Sequence, residues 1–474
     1  MSSDGRYDYN GSFGGRALVS LDNVGMRKTL ATAVDRQAAG RRAGMATLED
    51  PEGLRDLGAR IREHNLAHLD EHLERLAQTW QEAGGKVFFA ADAAEASAYS
   101  LDVARRVDAQ HAVKVKSMVT EEIDLNRVLS EAGIDPVETD LGQYIVQLAG
   151  EPPSHIVAPA IHKSKPEVTE LFSALAGERL PDDASALTAF ARERLRKLFL
   201  SAGVGFSGVN FGVADAGTLC LVTNEGNGRL TSSLPRAHVA IMGMERVVWD
   251  FEQLSVLLCL LARGNTGQKI TQYTSLLHGP RRADESDGPD EAHLVILDNG
   301  RSRLLGTRYQ SALRCIRCGG CLNVCPVFRQ VGGYAYDPVY SGPIGAVITP
   351  LLKGVEAAGD LAHASTLCGA CTDVCPVRIP LHDLLLYVRQ DHAQRAAGPA
   401  ERSAYGLWSR AWASPRRFAP FVRATQLLAR LRGGRSLRRL PVPLLARWMR
   451  GRSLPLAGSD GAPSSPARGR AEVR

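Results

Sequence analysis

Seven of the nine cysteines in this chain fall in two short clusters, and each cluster ends in Cys-Pro. The first is Cys315-Ile-Arg-Cys318-Gly-Gly-Cys321-Leu-Asn-Val-Cys325-Pro326, and the second is Cys368-Gly-Ala-Cys371-Thr-Asp-Val-Cys375-Pro376. The first has the C-x2-C-x2-C-x3-C-P spacing that holds iron–sulfur clusters. Three thiolates two residues apart can wrap three corners of a cubane on one tight loop, while the fourth serves the other cluster. The residue before proline is biased away from helix, so the chain leaves each site at its Cys-Pro step. Gly319, Gly320 and Gly369 let the backbone pass close to sulfide.

This crossed pattern assigns Cys315, Cys318, Cys321 and Cys375 to one [4Fe–4S] cluster, and Cys325, Cys368 and Cys371 to a second. The second is one thiolate short, and Ser365 stands where a full motif would begin. Three completions are open: a [3Fe–4S] centre, a [4Fe–4S] centre with serine or water on a labile iron, or a ligand from another subunit. The expectation is a [4Fe–4S] centre with three cysteine ligands. Structural zinc is the competing reading, because C-x2-C pairs also bind zinc. Seven cysteines do not divide into two all-cysteine tetrahedral sites, and the spacing before each Cys-Pro is not that of a zinc ribbon. Cys220 and Cys259 lie in apolar runs and read as buried thiols.

A chain of 474 residues, 44% hydrophobic and 23% charged, holds two or three globular domains. Its first twenty residues are polar and Gly/Ser-rich, and the longest apolar run, Leu254 to Ala262, is too short to span a bilayer. The expected location is the cytoplasm. Residues 1–16 read as disordered, and 21–48 and 52–83 read as helical, the latter from leucines at helical spacing. Strands at 87–90, 112–115, 137–139 and 155–158 alternate with helices near 93–108, 120–132, 166–176 and 184–200, which argues an α/β domain with a largely parallel sheet. Residues 209–214 and 218–223 read as a hairpin, 237–242 and 294–297 as strands, 251–263 as a helix and 279–291 as a loop.

The expected division is a helical extension over 1–60, an α/β domain over 61–300, a mostly helical two-cluster ferredoxin-type domain over 301–395 and a basic tail over 396–474. The 42 residues between the cysteine motifs suggest an enlarged loop around Gly332-Gly333 and Gly342-Pro343. From Gly398 onward there are 16 arginines, no lysines and three acids, with Trp408, Trp412, Phe418 and Trp448 interleaved. This reads as amphipathic basic helices suited to a membrane surface or partner groove rather than to nucleic acid, with a disordered end over the last 18 residues.

Gly203-Val-Gly-Phe-Ser-Gly208 fits G-x-G-x-x-G, but a helix precedes it and a strand follows, the reverse of a dinucleotide fingerprint. Thr223-Asn-Glu-Gly-Asn-Gly-Arg229 is the better candidate for a ligand loop. Asn224, Gly226 and Gly228 could cradle an anion and Arg229 clamp it, against the competing reading of a structural turn. Lys114, Lys116, Ser117, Glu121 and Glu122 read mainly as a solvated helix start with Thr120 as N-cap, and His155, His162 and Lys163 as structural. No nucleophile–base–orienter set assembles, so no catalytic residue is assigned.

The chain resembles the lactate utilization protein B family, the iron–sulfur subunits of the bacterial L-lactate oxidation system. The resemblance rests on Lys114-Val-Lys-Ser-Met-Val-Thr-Glu-Glu, Glu138-Thr-Asp-Leu-Gly, Pro153-Ser-His-Ile-Val-Ala-Pro-Ala-Ile-His, Gly217 to Leu230, Asp298-Asn-Gly-Arg-Ser, Gly342-Pro-Ile-Gly and the two cysteine motifs. It covers roughly residues 60–395. It implies a lactate-utilization domain similar to the sugar-isomerase and CoA-transferase α/β group, and two cluster sites with the same seven-cysteine count. The implied role is electron transfer during oxidation of L-lactate to pyruvate. The implied partners are a second lactate-utilization domain protein and a cysteine-rich redox subunit; the composition of the basic tail separately suggests peripheral contact at the inner membrane surface. The alternative is an open-cluster protein doing Lewis-acid chemistry or redox sensing.

Overall fold

The computed structural model describes residues 11–336, 339–396 and 398–431. The chain divides into two compact units, Met1–Arg395 and Ala396–Arg474. The first is built on a six-stranded parallel sheet in the order β1-β10-β7-β4-β2-β3. Its strands are β1 (Lys86–Ala90), β2 (His111–Lys114), β3 (Asp135–Glu138), β4 (Val204–Gly208), β7 (Ala237–Gly243) and β10 (Glu291–Leu297). The second sheet has the order β8-β5-β6-β9, from β5 (Phe211–Val213), β6 (Thr218–Thr223), β8 (Val247–Val248) and β9 (Tyr273–Leu277).

The centre of the large sheet is apolar on both faces, as a parallel sheet covered on two sides requires. In β7, Val239 and Ile241 join one core with Ala96 and Val103 of the helix Ala93–Arg106. Ala240 and Met242 point the other way, into a core with Leu73, Leu76 and Trp80 of the helix Leu69–Glu82. The hairpin expected at 209–223 forms as β5 and β6, paired antiparallel with Phe211 opposite Cys220.

Four local readings are corrected. The G-x-G-x-x-G segment is itself a strand, β4: a Cβ on Gly205 would drive into Thr231 O, and one on Gly208 into Ser117 Oγ. Residues 155–158 form no strand, because His155 Nδ1 accepts the N–H groups of Val157 (3.0 Å) and Ala158 (3.1 Å) and bends the chain. The loop expected around Gly342-Pro343 is a helix, Gly342–Lys353, with its proline in the first turn where no N–H is needed. Residues 13–16, read as disordered, begin the helix Phe13–Asp22, whose Ser12 N-cap accepts from Gly15 N. Beyond these, β9 and the helix Leu141–Leu148 had gone unread.

The N-terminal helices Val24–Met45 and Pro51–Ala67 share the largest core with the cysteine region, joining Leu30, Val34 and Leu66 to Ile316, Phe328, Val347 and Leu385. Three of their arginines donate to backbone carbonyls of that region. Arg41 donates to Val374 O (2.7 Å), Arg55 to Cys375 O (3.0 Å) and Asp373 O, and the fully buried Arg62 to Leu313 O (3.0 Å), Val247 O (3.2 Å) and Glu245 O.

The second unit contains the helices Pro399–Trp412 and Pro415–Leu431, joined by edge contact of Trp412 with Phe418 (4.9 Å between centroids). Leu407, Trp408 and Leu427 are exposed. The further tail residues, Trp448 among them, lie outside the described residues, as do residues 1–10. Among the described residues no helix is long and apolar enough to cross a membrane.

Candidate metal centre

The two cysteine motifs fold alike. Arg317 and Gly319 in the first have φ 59° and 81°, and Leu367 and Gly369 in the second have φ 56° and 82°. Each pair is followed by one helical turn, Gly320–Asn323 and Ala370–Asp373. A non-glycine residue at positive φ is uncommon, so the same pair in both loops marks one loop geometry built twice. It turns backbone N–H groups onto sulfur: Arg317 N lies 3.4 Å from Cys315 Sγ, and Gly320 N 3.5 Å from Cys318 Sγ. Phe328 N and Ile379 N approach Cys325 Sγ (3.5 Å) and Cys375 Sγ (3.3 Å) in the same way. Ser365 stands where Cys315 stands in the first loop. Its Oγ accepts from Leu367 N at 3.0 Å, the same step of two residues that Cys315 Sγ makes with Arg317 N.

None of the cysteines is in a disulfide. Burial pushes the Cys318 thiol up to about 12, and Cys375 and Cys315 add to the shift. Burial raises Cys321 and Cys375 as well, with Cys315 contributing to both. The other thiols answer to a different set. Burial and then Cys325 push Cys371 up to about 12, with Cys368 adding to it, and burial with Cys368 raises Cys325. Cys315, Cys318 and Cys375 thus bear on one another, as do Cys325, Cys368 and Cys371, while Cys321 is raised by members of both sets. The groups adjoin where Cys321 feels Cys371, beside the fully buried Tyr336.

This donor set fits iron–sulfur ligation. Buried thiols that resist ionisation need a bound cation to become thiolates, and a coordinating metal deprotonates them outright. Among the described residues no three His, Cys, Asp or Glu side chains are gathered closely enough to hold a metal ion.

Beside the first thiol group lies a cavity of about 950 Å³. It opens over the carboxyl ends of β2 and β4, neighbours in the sheet from which the chain proceeds in opposite directions, to β3 and to β7. Such a switch point is where parallel α/β sheets hold ligands. Lys116 and Ser117 follow β2, Asn210 follows β4, and Cys318 with Arg317 closes the far wall. Seven lysine and arginine side chains and three carboxylates line the cavity.

The polar residues after β2 are not a solvated helix start. Lys114 is fully buried, with Nζ 2.7 Å from Glu138, 2.6 Å from Asn126 and 3.4 Å from Glu121. Glu122 accepts from Arg301 (2.8 Å), Asn299 (2.7 Å) and Tyr340 (2.6 Å). Burial would raise the Glu122 carboxyl, but Arg301 with these donors holds it below the ordinary range. Thr120 is no N-cap, because Ser117 takes that position and Thr120 Oγ1 donates back to Ser117 O (2.9 Å). His155 is buried against Asn323 (3.2 Å), and burial pulls its pKa down to about 3. His162 and Lys163 both meet Glu151, at 2.9 and 2.6 Å.

In the glycine-rich loop, Asn224, Glu225 and Asn227 line the cavity, while Gly226 is exposed. Gly228 is buried against Thr223, and Arg229 is exposed and is not one of the lining residues. Arg317, Asn265 and Arg301 were missed as site residues. Arg317 could have been marked by its place inside the first motif, whereas Asn265, just past the helix Phe251–Arg263, carries no local signal.

A lactate-utilization (LUD) domain model matches residues 73–297, and a 4Fe-4S dicluster domain model matches residues 311–379. A protein of Shouchella clausii named lactate utilization protein B is 49% identical over 384 residues, 81% of each chain. Proteins of the same name from Bacillus velezensis and Bacillus cytotoxicus are 49% identical over 385 residues (81% of each chain) and 44% identical over 452 residues (92% of this chain, 95% of the relative). A solved DUF162 family protein from Deinococcus radiodurans aligns over 48% of this chain and 98% of its own length, at 14% identity and a TM-score of 0.26. With identities this high over four-fifths of each chain, the protein belongs to the lactate utilization protein B family.

Proposed function

We propose that this protein is the iron–sulfur electron-transfer subunit of a system that oxidises L-lactate to pyruvate. The observation that carries the reading is the pair of like-folded cysteine loops in a member of this family, within a matched 4Fe-4S dicluster domain. Cys315, Cys318, Cys321 and Cys375 would hold one [4Fe–4S] cluster, and Cys325, Cys368 and Cys371 a second. When bound, such clusters take up and release one electron at a time. The N–H groups aimed at Cys315, Cys318, Cys325 and Cys375 would tune their potentials. On this reading Ser365 Oγ is the fourth protein ligand of the second cluster, since it repeats the placement of Cys315 Sγ.

The reading extends to organisation. Residues 61–300 form the lactate-utilization domain, akin to the sugar-isomerase and CoA-transferase group, and 301–395 the ferredoxin-type domain. Residues 1–60 are the helical extension and 396–474 the basic tail. The partners are a second lactate-utilization domain protein and a cysteine-rich redox subunit. The tail, with exposed Leu407 and Trp408 among arginines, suits an anionic membrane surface.

The test is oxygen-free purification with iron and sulfide counts and EPR, followed by reconstitution with the partner subunits. About eight irons per chain and cluster reduction on addition of L-lactate to the complex are expected. Zinc in place of iron, or clusters that stay oxidised in the complex, would overturn the reading.

A further inference from the structure

Arginines surround the first cysteine loop, and most of them have a carboxylate partner. Arg55 pairs with Glu52 (2.8 Å), Arg378 with Glu52 (2.6 Å) and Asp56 (2.7 Å), and Arg314 with Glu63 (3.7 Å). Glu245 faces both Arg301 (2.8 Å) and Arg317 (3.6 Å). Arg41, Arg62 and Arg246 differ, because every hydrogen bond they donate among the described residues goes to a backbone carbonyl. Arg41 donates to Val374 O (2.7 Å) and Arg246 to Cys315 O (3.0 Å). Arg62 donates to Leu313 O (3.0 Å), Val247 O (3.2 Å), Arg314 O (3.3 Å) and Glu245 O. Arg62 is fully buried and Arg246 is 7% exposed. A buried guanidinium without a carboxylate is costly unless another anion lies close by.

The first thiol set supplies that anion once it is ionised and loaded. Arg41 acts electrostatically on Cys318 and Cys375, and Arg62 and Arg246 act on Cys315. An electron taken up there adds one unit of negative charge. In a buried site that charge is poorly solvated, so burial alone holds a reduction potential down. Fixed positive charges alongside offset it. The second set lies nearer water, because Cys368 is exposed, and water itself stabilises an added charge there. Arg389 reaches that set, donating to Ser365 O (2.8 Å). Without Arg41, Arg62 and Arg246, the exposed site would be the easier one to reduce.

We propose that Arg41, Arg62 and Arg246 are the counter-charges of the first cluster and hold its reduction potential above that of the second. An electron taken up by the chain then settles at the interior site rather than at the exposed one. The step moves one electron, with no bond formed or broken and no proton transferred. The inference rests on the electron-transfer reading for the presence of the two clusters.

The test is a redox titration of the cluster-loaded full chain under argon, with dithionite and mediator dyes, read by EPR. Ser365→Cys identifies the second cluster by changing its signal alone. In the wild type the first cluster is expected to be reduced at the higher potential. Arg41→Met and Arg246→Met should each shift its equilibrium toward the oxidised form by about tenfold or more, which is about 59 mV for one electron. The second cluster should stay in place, with iron and sulfide content unchanged. Arg41→Lys and Arg246→Lys keep the charge and should keep most of the potential. Arg41 is only partly buried and makes a single carbonyl bond, so its variants serve should those of Arg246 misfold. The inference falls if the second cluster is reduced first in the wild type, or if the folded methionine variants leave the first potential where it was. It falls equally if both clusters shift together, or if lysine shifts the potential as far as methionine. Zinc in place of iron in the wild type removes the electron-transfer reading as well. Intact clusters that lactate reduces in the reconstituted complex, with potentials indifferent to these arginines, remove this inference alone.

Discussion

Lys114→Met tests whether the buried polar cluster after β2 is held together by its cation. Methionine keeps most of the apolar stem of lysine and removes the ammonium, with its charge and its donors to Glu138, Asn126 and Glu121. Lys114 is 0% exposed, and its main partner, Glu138, is 1% exposed and already has one carboxylate oxygen without a partner. Removing one member of such a pair strands the other, at a cost of about 3–5 kcal/mol. Burial already raises the Glu121 carboxyl despite the opposing pull of Lys114. Without the lysine it rises further. A carboxyl whose folded pKa lies above its unfolded value contributes stability that is complete below the unfolded value and lost as pH climbs through the folded one. The penalty must therefore grow with pH. We expect a loss of about 3 kcal/mol near pH 8 that shrinks to about 1 kcal/mol near pH 5.5. Urea unfolding of the cluster-loaded protein under argon, followed by circular dichroism at both pH values, measures it. A loss below about 1 kcal/mol near pH 8, or one equal at both pH values, refutes the argument.

Ser365→Cys should complete the second thiol set and make its cluster resist loss of iron under oxidation. Ser365→Ala should convert oxidised samples to the [3Fe–4S] signal in EPR, and identical behaviour of the two variants would remove Ser365 from the ligand set. The Glu225 carboxyl is raised to about 7 by burial and by Asp140, so its contribution to stability is present below its ordinary value and lost as pH rises through about 7. Wild-type protein should lose on the order of 2 kcal/mol across that window and Glu225→Gln should not, read from unfolding midpoints against pH. The full chain should be retained on anionic vesicles and not on duplex DNA at moderate salt, and deletion of the tail from residue 396 should abolish retention. DNA binding with a steep salt dependence would reassign the tail.

How much of this was legible in the sequence depended on how local the cause was. The cysteine loops could be read because their chemistry sits within a dozen residues, and the serine gap was visible for the same reason. Most strands of the large sheet could be read from short apolar runs, but β4 could not. Val204–Gly208 has glycines where a strand normally carries side chains, because Thr231 and Ser117 occupy that space from elsewhere in the chain. His155 to Ala158 looked like a strand by composition, and only the capture of two N–H groups by one imidazole makes it a bend. The cavity was the least legible feature. Lys116, Asn265 and Arg317 are far apart in sequence, and only the meeting of the sheet's carboxyl edge with the first cysteine loop brings them to one place.

The three arginines of the N-terminal helices carry a consequence for biosynthesis. Arg41, Arg55 and Arg62 emerge early from the ribosome, but the carbonyls they bind belong to residues such as Leu313, Val374 and Cys375, translated near the end of the chain. The apolar faces built around Leu30, Val34 and Leu66 meet Leu254, Leu257 and Leu260 of the helix Phe251–Arg263, and they gain the rest of their cover only when the cysteine loops exist. On the proposed iron–sulfur reading, shaping of the cysteine loops by their clusters would complete that cover. On that reading the N-terminal helices of cluster-free protein should be cut faster in limited proteolysis than those of cluster-loaded protein, which ties the state of the cysteine loops to the opposite end of the chain.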